Sequence, residues 1–302
     1  MNGLGIFRMT AAACSFVAIL VLVGFIEMAT ASDHADTPLL KEVGRHDARL
    51  TDLYAFERGG SLVLVLCTNP TIAEGTSDYL FPPDVKFRVL IDNDSAVTFD
   101  DAEDLESLGG TVVDPSGIEP EIELQVRFNR AGAPQLGLSG LSKPDKDQVS
   151  LFAGLRDDPF IRIPREGRNV AAIVIELPMS LVVGEQPTLL IWATSKVDRL
   201  AGGQHELAGR ALHSQLGGND LMNTLPPHRH AEELGVSPDV MIYDTSRPAT
   251  FPNGRELADD IVTMLCDLDP GATDCLEPGG PEPIENDVPF LSVFPYLAPA
   301  QP

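Results

Sequence analysis

The densest run of side chains able to do chemistry lies at residues 92–104, where Asp92, Asp94, Asp100, Asp101, Glu103 and Asp104 crowd one short stretch. Hard carboxylate oxygens at close intervals on a turning backbone are what Ca2+ needs. Counting Asp92 as the first position, Asp94 is the third, Asp100 the ninth and Glu103 the twelfth, which echoes the spacing of an EF-hand loop. Ala96 and Val97, however, stand fifth and sixth, where that loop requires an oxygen ligand and a glycine. A β-rich run precedes the acids, not a helix. An EF-hand is therefore excluded, and two readings stay open for Asp92, Asp94, Asp100 and Glu103: a looser Ca2+ site, or a solvated acidic turn.

Nitrogen ligands are scarcer. His228 and His230 could face the same way on an extended chain and ligate Zn2+ or Cu2+, with Glu232 and Glu233 following and His205 and His213 upstream. No H-E-x-x-H spacing supports this, and Pro226-Pro227 points to an exposed loop with surface histidines. Adjacent acids at Asp157-Asp158 and Asp259-Asp260 have the composition of acid–base pairs. Such acids more often cap helices or pair with arginine, and Arg156 and Arg255 stand close enough in sequence to serve. There is no G-x-S-x-G elbow, phosphate-cradling glycine loop or dinucleotide fingerprint. The single tryptophan, Trp192, falls in an apolar run and reads as core, which leaves Tyr54, Tyr79 or Tyr243 as candidate platforms for stacking a sugar.

The chain's beginning sets the compartment in which this chemistry would operate. Arg8 precedes an apolar run from Met9 to Ile26, and the run closes on Ala29-Thr30-Ala31. That is the layout of a secretion signal over residues 1–31, cut before Ser32 and followed by a domain over residues 32–302 in the periplasm or outside the cell. An uncleaved anchor is the competing reading, since about 18 apolar residues can just span a bilayer. Cys14 does not make a lipoprotein, because the apolar run continues past it. Cleavage would leave Ser32-Asp33-His34 at the terminus, whose amine, two backbone nitrogens and His34 imidazole suit square-planar Cu2+ or Ni2+. Alternatively His34 merely hydrogen-bonds Asp36. After cleavage no stable membrane insertion is expected.

A net charge of −24 and a pI near 4.4 set the protein against nucleic acid and anionic membrane surfaces. Either solubility or divalent-cation binding would account for it. In an oxidising compartment Cys266 and Cys275, flanking a turn-rich stretch, are expected to form a disulfide that stabilises the fold by roughly 2–3 kcal/mol. Cys67, inside the apolar run LVLVLC, reads as a buried free thiol.

Strands must position these groups. Ser61–Cys67, Val85–Ile91, Glu121–Phe128, Asn169–Leu177 and Thr188–Thr194 are β-rich. The third alternates, with Ile122, Leu124, Val126 and Phe128 on one face and Glu121, Glu123, Gln125 and Arg127 on the other, so one face is wet. VAAIVIEL and LLIWAT are apolar nearly throughout and read as strands buried on both faces. Long segments rich in Gly, Pro, Asp and Asn separate them, so the fold class is mainly β, sandwich-like, with long loops and a few short helices. One helix is expected from an Asn253 cap, with Leu257, Ile261, Val262 and Leu265 as its apolar stripe and an Arg255–Asp259 pair outside. A second could cover Glu206–Gln215. Phe290, Phe294 and Tyr296 imply that the proline-rich tail from Pro278 packs onto the domain.

Several separated strings, in this order, form a recognisable set: SDHADTP at 32–38, TDLYAF at 51–56, PDVKFRVLIDND at 83–94, RDDPF at 156–160, NVAAIVIELP, IWATSKVDR, SPDVMIYDT, FPNGRELADD and NDVPFLSVFPYL. Together they resemble the bacterial secreted family "domain of unknown function 4331" from about Ser32 to Leu297. The opening departs from that pattern, reading DHADTP where members have SHREAP, and FDDAEDLESLGG follows the IDND string where a strand would come sooner. The resemblance implies a secreted, largely β domain and supplies no reaction. The expected function is a binding or envelope-associated module, with Ca2+ as the first-choice ion and Cu2+ or Zn2+ behind it. Its partner would be a small molecule, a glycan or a protein. A metal-dependent extracellular enzyme and a carbohydrate-binding module are the alternatives.

Overall fold

The computed structural model describes residues 37–141, 148–160, 167–213, 220–268 and 285–302. A short helix, α1 (Pro38–Glu42), leads into β1 (Leu50–Arg58), β2 (Ser61–Thr68) and β3 (Val85–Asp92). Gly59 and Gly60 turn the chain between β1 and β2 at φ 59° and 86°, the left-handed backbone that a tight hairpin demands at both central positions. A small excursion follows: β4 (Val97–Thr98), helix α2 (Ala102–Leu108) and β5 (Thr111–Val112). The chain continues through β6 (Ile122–Phe128), β7 (Pro134–Ser139), β8 (Ser150–Asp157), β9 (Asn169–Pro178), β10 (Thr188–Val197) and β11 (Glu206–Ala208). Helix α3 (His230–Leu234), strand β12 (Met241–Asp244) and helix α4 (Ile261–Leu268) complete the described elements.

The strands form two antiparallel sheets packed face to face, with the small β4–β5 pair beside them. One sheet has the order β1-β2-β9-β8; the other runs β11-β10-β3-β6-β7, with β12 also paired to β10. The shared core takes Leu62, Leu64 and Leu66 of β2 and Ile173 and Ile175 of β9 from the first sheet. It takes Phe87, Val89 and Ile91 of β3 and Leu124 and Val126 of β6 from the second. The mainly β expectation is therefore met.

The apolar runs have a definite cause. Val63, Val65 and Cys67 of β2 and Val170, Ala172 and Val174 of β9 point away from the shared core into a second cluster, roofed by Leu257, Tyr296 and Leu297. Leu190 and Trp192 of β10 do the same on the other sheet, under Val112 and Ile118. Strands covered on both sides read apolar throughout; β6, wet on one side, alternates. Cys67 is buried and the tail packs through Tyr296 and Leu297, both as expected.

Two expected helices are corrected. The chain at Asn253 does not start one: Arg255 pairs with the edge of β1, its N–H donating to Ala55 O at 2.9 Å and its carbonyl accepting from Ala55 N at 3.2 Å. Backbone groups engaged by a sheet edge are unavailable to a helix, so α4 begins only at Ile261. Arg255 is not outside with Asp259. It is buried, 3.3 Å from Asp52, with its guanidinium 3.9 Å from the Tyr54 ring centre. Asp259 instead accepts from Phe251 N and Glu256 N, both at 2.8 Å. Likewise Glu206–Ala208 is strand, not helix. Ala208 pairs with Ala193, and Gly209 passes so close to Asp239 O that a Cβ would lie 2.2 Å from it.

Candidate metal centre

Strand β3 ends where its alternation changes chemistry. Ile91 faces the shared core and Leu90 the outer cluster; Asp92, next in line, is the last paired residue, opposite Leu190 of β10. Ile91 pairs with Ile122 on the other neighbour, which brings Glu121, just before β6, beside the end of β3. One carboxylate oxygen from each of Asp92, Asp94 and Glu121 lies within 4.8 Å of the others, an arrangement that could hold a metal ion. Asp92 is buried; Asp94 and Glu121 are exposed.

Asp92 also builds the turn. Its Oδ1 accepts from Asp94 N at 3.2 Å and Ser95 N at 2.9 Å, and its Oδ2 accepts from Ser95 Oγ at 2.7 Å and Glu119 N at 3.2 Å. Those four donors satisfy a carboxylate's usual capacity. Glu121 Oε2 accepts from Asn93 N at 3.0 Å. Partial burial pushes the Glu121 carboxyl above its ordinary range; the Asn93 N–H opposes this, and the Asp92 and Asp94 charges add to it. Three crowded negative charges with one relieved only by a backbone N–H are the electrostatic setting a cation would relieve.

Asp100 and Glu103 do not belong to this group. Asp100 Oδ2 accepts from Thr98 Oγ1 at 2.9 Å, and Glu103 sits in the first turn of α2. That helix is capped by Asp101, which accepts from Glu103 N at 3.0 Å and Asp104 N at 3.1 Å. The EF-hand-like count along the chain thus fails in space, because α2 and the β4–β5 pair carry the later acids off. Glu121, the third member, is missed by sequence reasoning because its proximity depends on which strands pair. The signal lay in its position at the start of the alternating strand.

The histidines lie elsewhere. His228 and His230 are on a helical turn running into α3, not on extended chain, so an i, i+2 spacing turns them apart. His230 is a buried residue, not a surface one: Nδ1 accepts from Asp239 N at 3.1 Å, and Nε2 lies 3.0 Å from Leu225 O. Burial holds its imidazole below the ordinary range, in the neutral form. His205 is similarly engaged, Nδ1 accepting from Val197 N at 3.0 Å and Nε2 lying 2.9 Å from Ala201 O. His34 and the Cys266–Cys275 pair lie outside the residues whose side chains are described.

The paired acids are structural. Asp157 accepts from Asn286 Nδ2 at 2.7 Å and from Gln301 Nε2 at 2.5 Å, tying the tail to β8, while Asp158 accepts from Phe160 N at 3.1 Å. Arg156, the expected partner, stacks 3.9 Å from the Phe152 ring centre instead. Asp260 accepts from Thr263 Oγ1 at 2.7 Å in the first turn of α4. Tyr54 and Tyr243 are buried and Trp192 is core, so none of the three offers a face to a sugar. Among the described residues, no helix is long and apolar enough to cross a membrane. No family model matches the chain, and a search of curated proteins finds no match to it.

Proposed function

We propose that this protein is an exported binding module whose turn after β3 holds Ca2+. The observation that carries the reading is the convergence of Asp92, Asp94 and Glu121 across the ends of two paired strands. Asp94 and Glu121 supply open carboxylates, and Asp92 joins them by exchanging one of its present hydrogen bonds for the ion. All-oxygen donors favour Ca2+ over Zn2+ or Cu2+. Two exposed ligands of three, with water completing the shell, place the affinity in the weak range of extracellular modules, about 10⁻⁴–10⁻³ M. Export rests on the pattern of residues 1–31, and the string resemblance to the secreted family supports the same compartment without adding a reaction.

Calorimetric titration of the mature protein with Ca2+ tests the site. Wild type is expected to bind one ion, and Asp94→Ala and Glu121→Gln to lose at least tenfold in affinity. The same binding in wild type and both variants, or no heat in wild type, removes the proposal. Amino-terminal sequencing of the exported protein checks the compartment: a start at Ser32 is expected.

A further inference from the structure

The strands at the margins of the two sheets differ in how their outer edges are covered. On β1 the Ala55 N–H and carbonyl both bond Arg255. On β12 the Ile242 carbonyl accepts from Gly254 N at 2.8 Å, and on β11 Leu207 N donates to Asn223 Oδ1 at 3.3 Å. The second half of β8 is guarded too: Asp157 N donates to Ala298 O at 3.3 Å, and Arg156 Nη1 turns onto the Leu155 carbonyl at 3.1 Å. Open edges invite the addition of another strand, and covers of this kind are how folds prevent it. Along β7 there is no such cover among the described residues.

The hairpin before β7 decides which of its main-chain groups face outward. Gly132 N donates to Asn129 O at 2.9 Å and Asn129 N to Ala133 O at 3.1 Å, a three-residue loop with Gly132 at φ 77°. Ala133 therefore faces β6. Alternation then turns the N–H and C=O of Gln135, Gly137 and Ser139 toward β6, and those of Leu136 and Leu138 away from it. Among the described residues neither outward N–H has an acceptor. The sequence supplies no guard either: PQLGLS carries no charged side chain, and its one proline, Pro134, stands at the very start. Leu136 and Leu138 are half-buried at the rim of the shared core.

We propose that β7 joins two copies of this chain into a two-fold dimer, with one sheet continuous across both. The strand fits itself in an antiparallel register with Gly137 opposite the partner's Gly137. Leu136 then meets the partner's Leu138, and Leu138 the partner's Leu136, so the four outward N–H groups find four carbonyls. The same pairs close the leucines over the open rim of the core. On the other face Arg127 lies beside Gln135 and Glu123 beside Ser139. The register continues the Arg127–Gln135 row into the partner's Ser139 and Glu123, so opposite charges end each row. That complementarity matters in a chain of net charge −24, whose copies repel wherever acidic faces meet. A foreign strand would find no charge on β7 to read, whereas a second copy meets matched leucines and matched rows. The interface is separate from the cation site and does not depend on it.

The test is sedimentation of the mature full chain in about 0.15 M salt, with a chelator present so that failure of the Ca2+ reading cannot affect it. Wild type is expected to dimerise with a Kd between about 10 and 500 μM. Gly137 suits the decisive substitution, because a Cβ there meets nothing closer than Gln125 at 3.8 Å. Gly137→Glu and Gly137→Lys each set like charges face to face at the two-fold, and each is expected to weaken association at least tenfold. An equimolar mixture of the two is expected to associate again. Hydrogen exchange of the Leu136 and Leu138 amides in wild type should slow at least tenfold on concentration, while that of Gln135, already bonded to β6, should not change. If both variants fail to fold, this exchange pattern decides. A wild type that stays monomeric to about 1 mM overturns the proposal and leaves the edge to a foreign strand or to solvent. A dimer that Gly137→Glu leaves intact overturns it as well, since the copies would then meet elsewhere.

Discussion

At the end of β3 a buried carboxylate, Asp92, has a hydrogen bond at each of its four acceptor positions, and its charged neighbours Asp94 and Glu121 stand in water. In the segment from His205 to Asp239 the arrangement is reversed. His205 and His230 are buried and engaged at both ring nitrogens, while Arg210 and Asp239 are buried with donors and an acceptor unmet among the described residues. The first region is conspicuous in the sequence because exposed acids can be numerous at little cost. The second is inconspicuous because only a few charged residues are buried there. Each burial is expensive, so a structure tolerates few of them. Conspicuous charge and committed charge are therefore different things, and substitutions can tell them apart.

The largest effect is expected at Asp92. Asp92→Ala leaves the Asp94, Ser95 and Glu119 N–H groups without their acceptor at a buried position, a loss of about 3 kcal/mol in urea denaturation. A loss below about 1 kcal/mol would mean that solvent holds the turn, and the contrast between the two regions would collapse. His230→Ala is next, at about 2 kcal/mol, since its ring joins Asp239 N to the carbonyl of Leu225. Both variants are read in the same denaturation series. Equal and small values would show that neither region depends on its buried polar group.

How much of this was readable beforehand follows the same division. The strands with strong periodicity or unbroken apolar runs were legible, because burial on one or both faces imposes those patterns directly. β1 was not, because Thr51 and Asp52 interrupt it, and the buried Asp52 meets Arg255, which arrives from about two hundred residues away (3.3 Å in the fold). The same long-range pairing spoiled the helix expected from Asn253. Gly254 there has φ 68°, and a Cβ would lie 2.8 Å from Ala55 O, so local caps and stripes lost to an edge pairing they could not reveal. For the metal group, Asp92 and Asp94 were legible from local spacing. Glu121 was not, because its proximity is set by the β3–β6 register.

Acid pH sharpens the comparison further, with a smaller effect. His230 is held below its ordinary range by burial, so below about 6.5 the unfolded chain binds a proton that the folded chain refuses. Stability is therefore expected to fall as pH drops through that window. His230→Gln should flatten this part of the profile, whatever it costs at neutral pH. Asp157 and Asp259 work in the opposite sense. Burial raises both, so the folded state holds their protons more tightly, and stability is regained as pH falls through their raised values toward the ordinary carboxyl range. A His230→Gln profile that keeps the full slope below neutrality would assign that slope to other groups.

The smallest change in stability, and the most telling in function, belongs to the exposed acids. Asp94→Ala removes one of three crowded negative charges and no core contact, so urea denaturation without added metal should stay within about 0.5 kcal/mol of wild type. In the same protein Ca2+ binding should weaken at least tenfold. Asp100→Asn with Glu103→Gln removes two negative charges from the same loop, one more than Asp94→Ala, but touches neither Asp94 nor Glu121, so Ca2+ binding should be nearly unchanged. If instead the affinity falls equally in the two variants, the ion is drawn by the loop's diffuse negative charge and not by the ligands that β3 and β6 bring together. The salt dependence would then show it, because screening by about 0.15 M salt weakens a diffuse attraction far more than direct coordination.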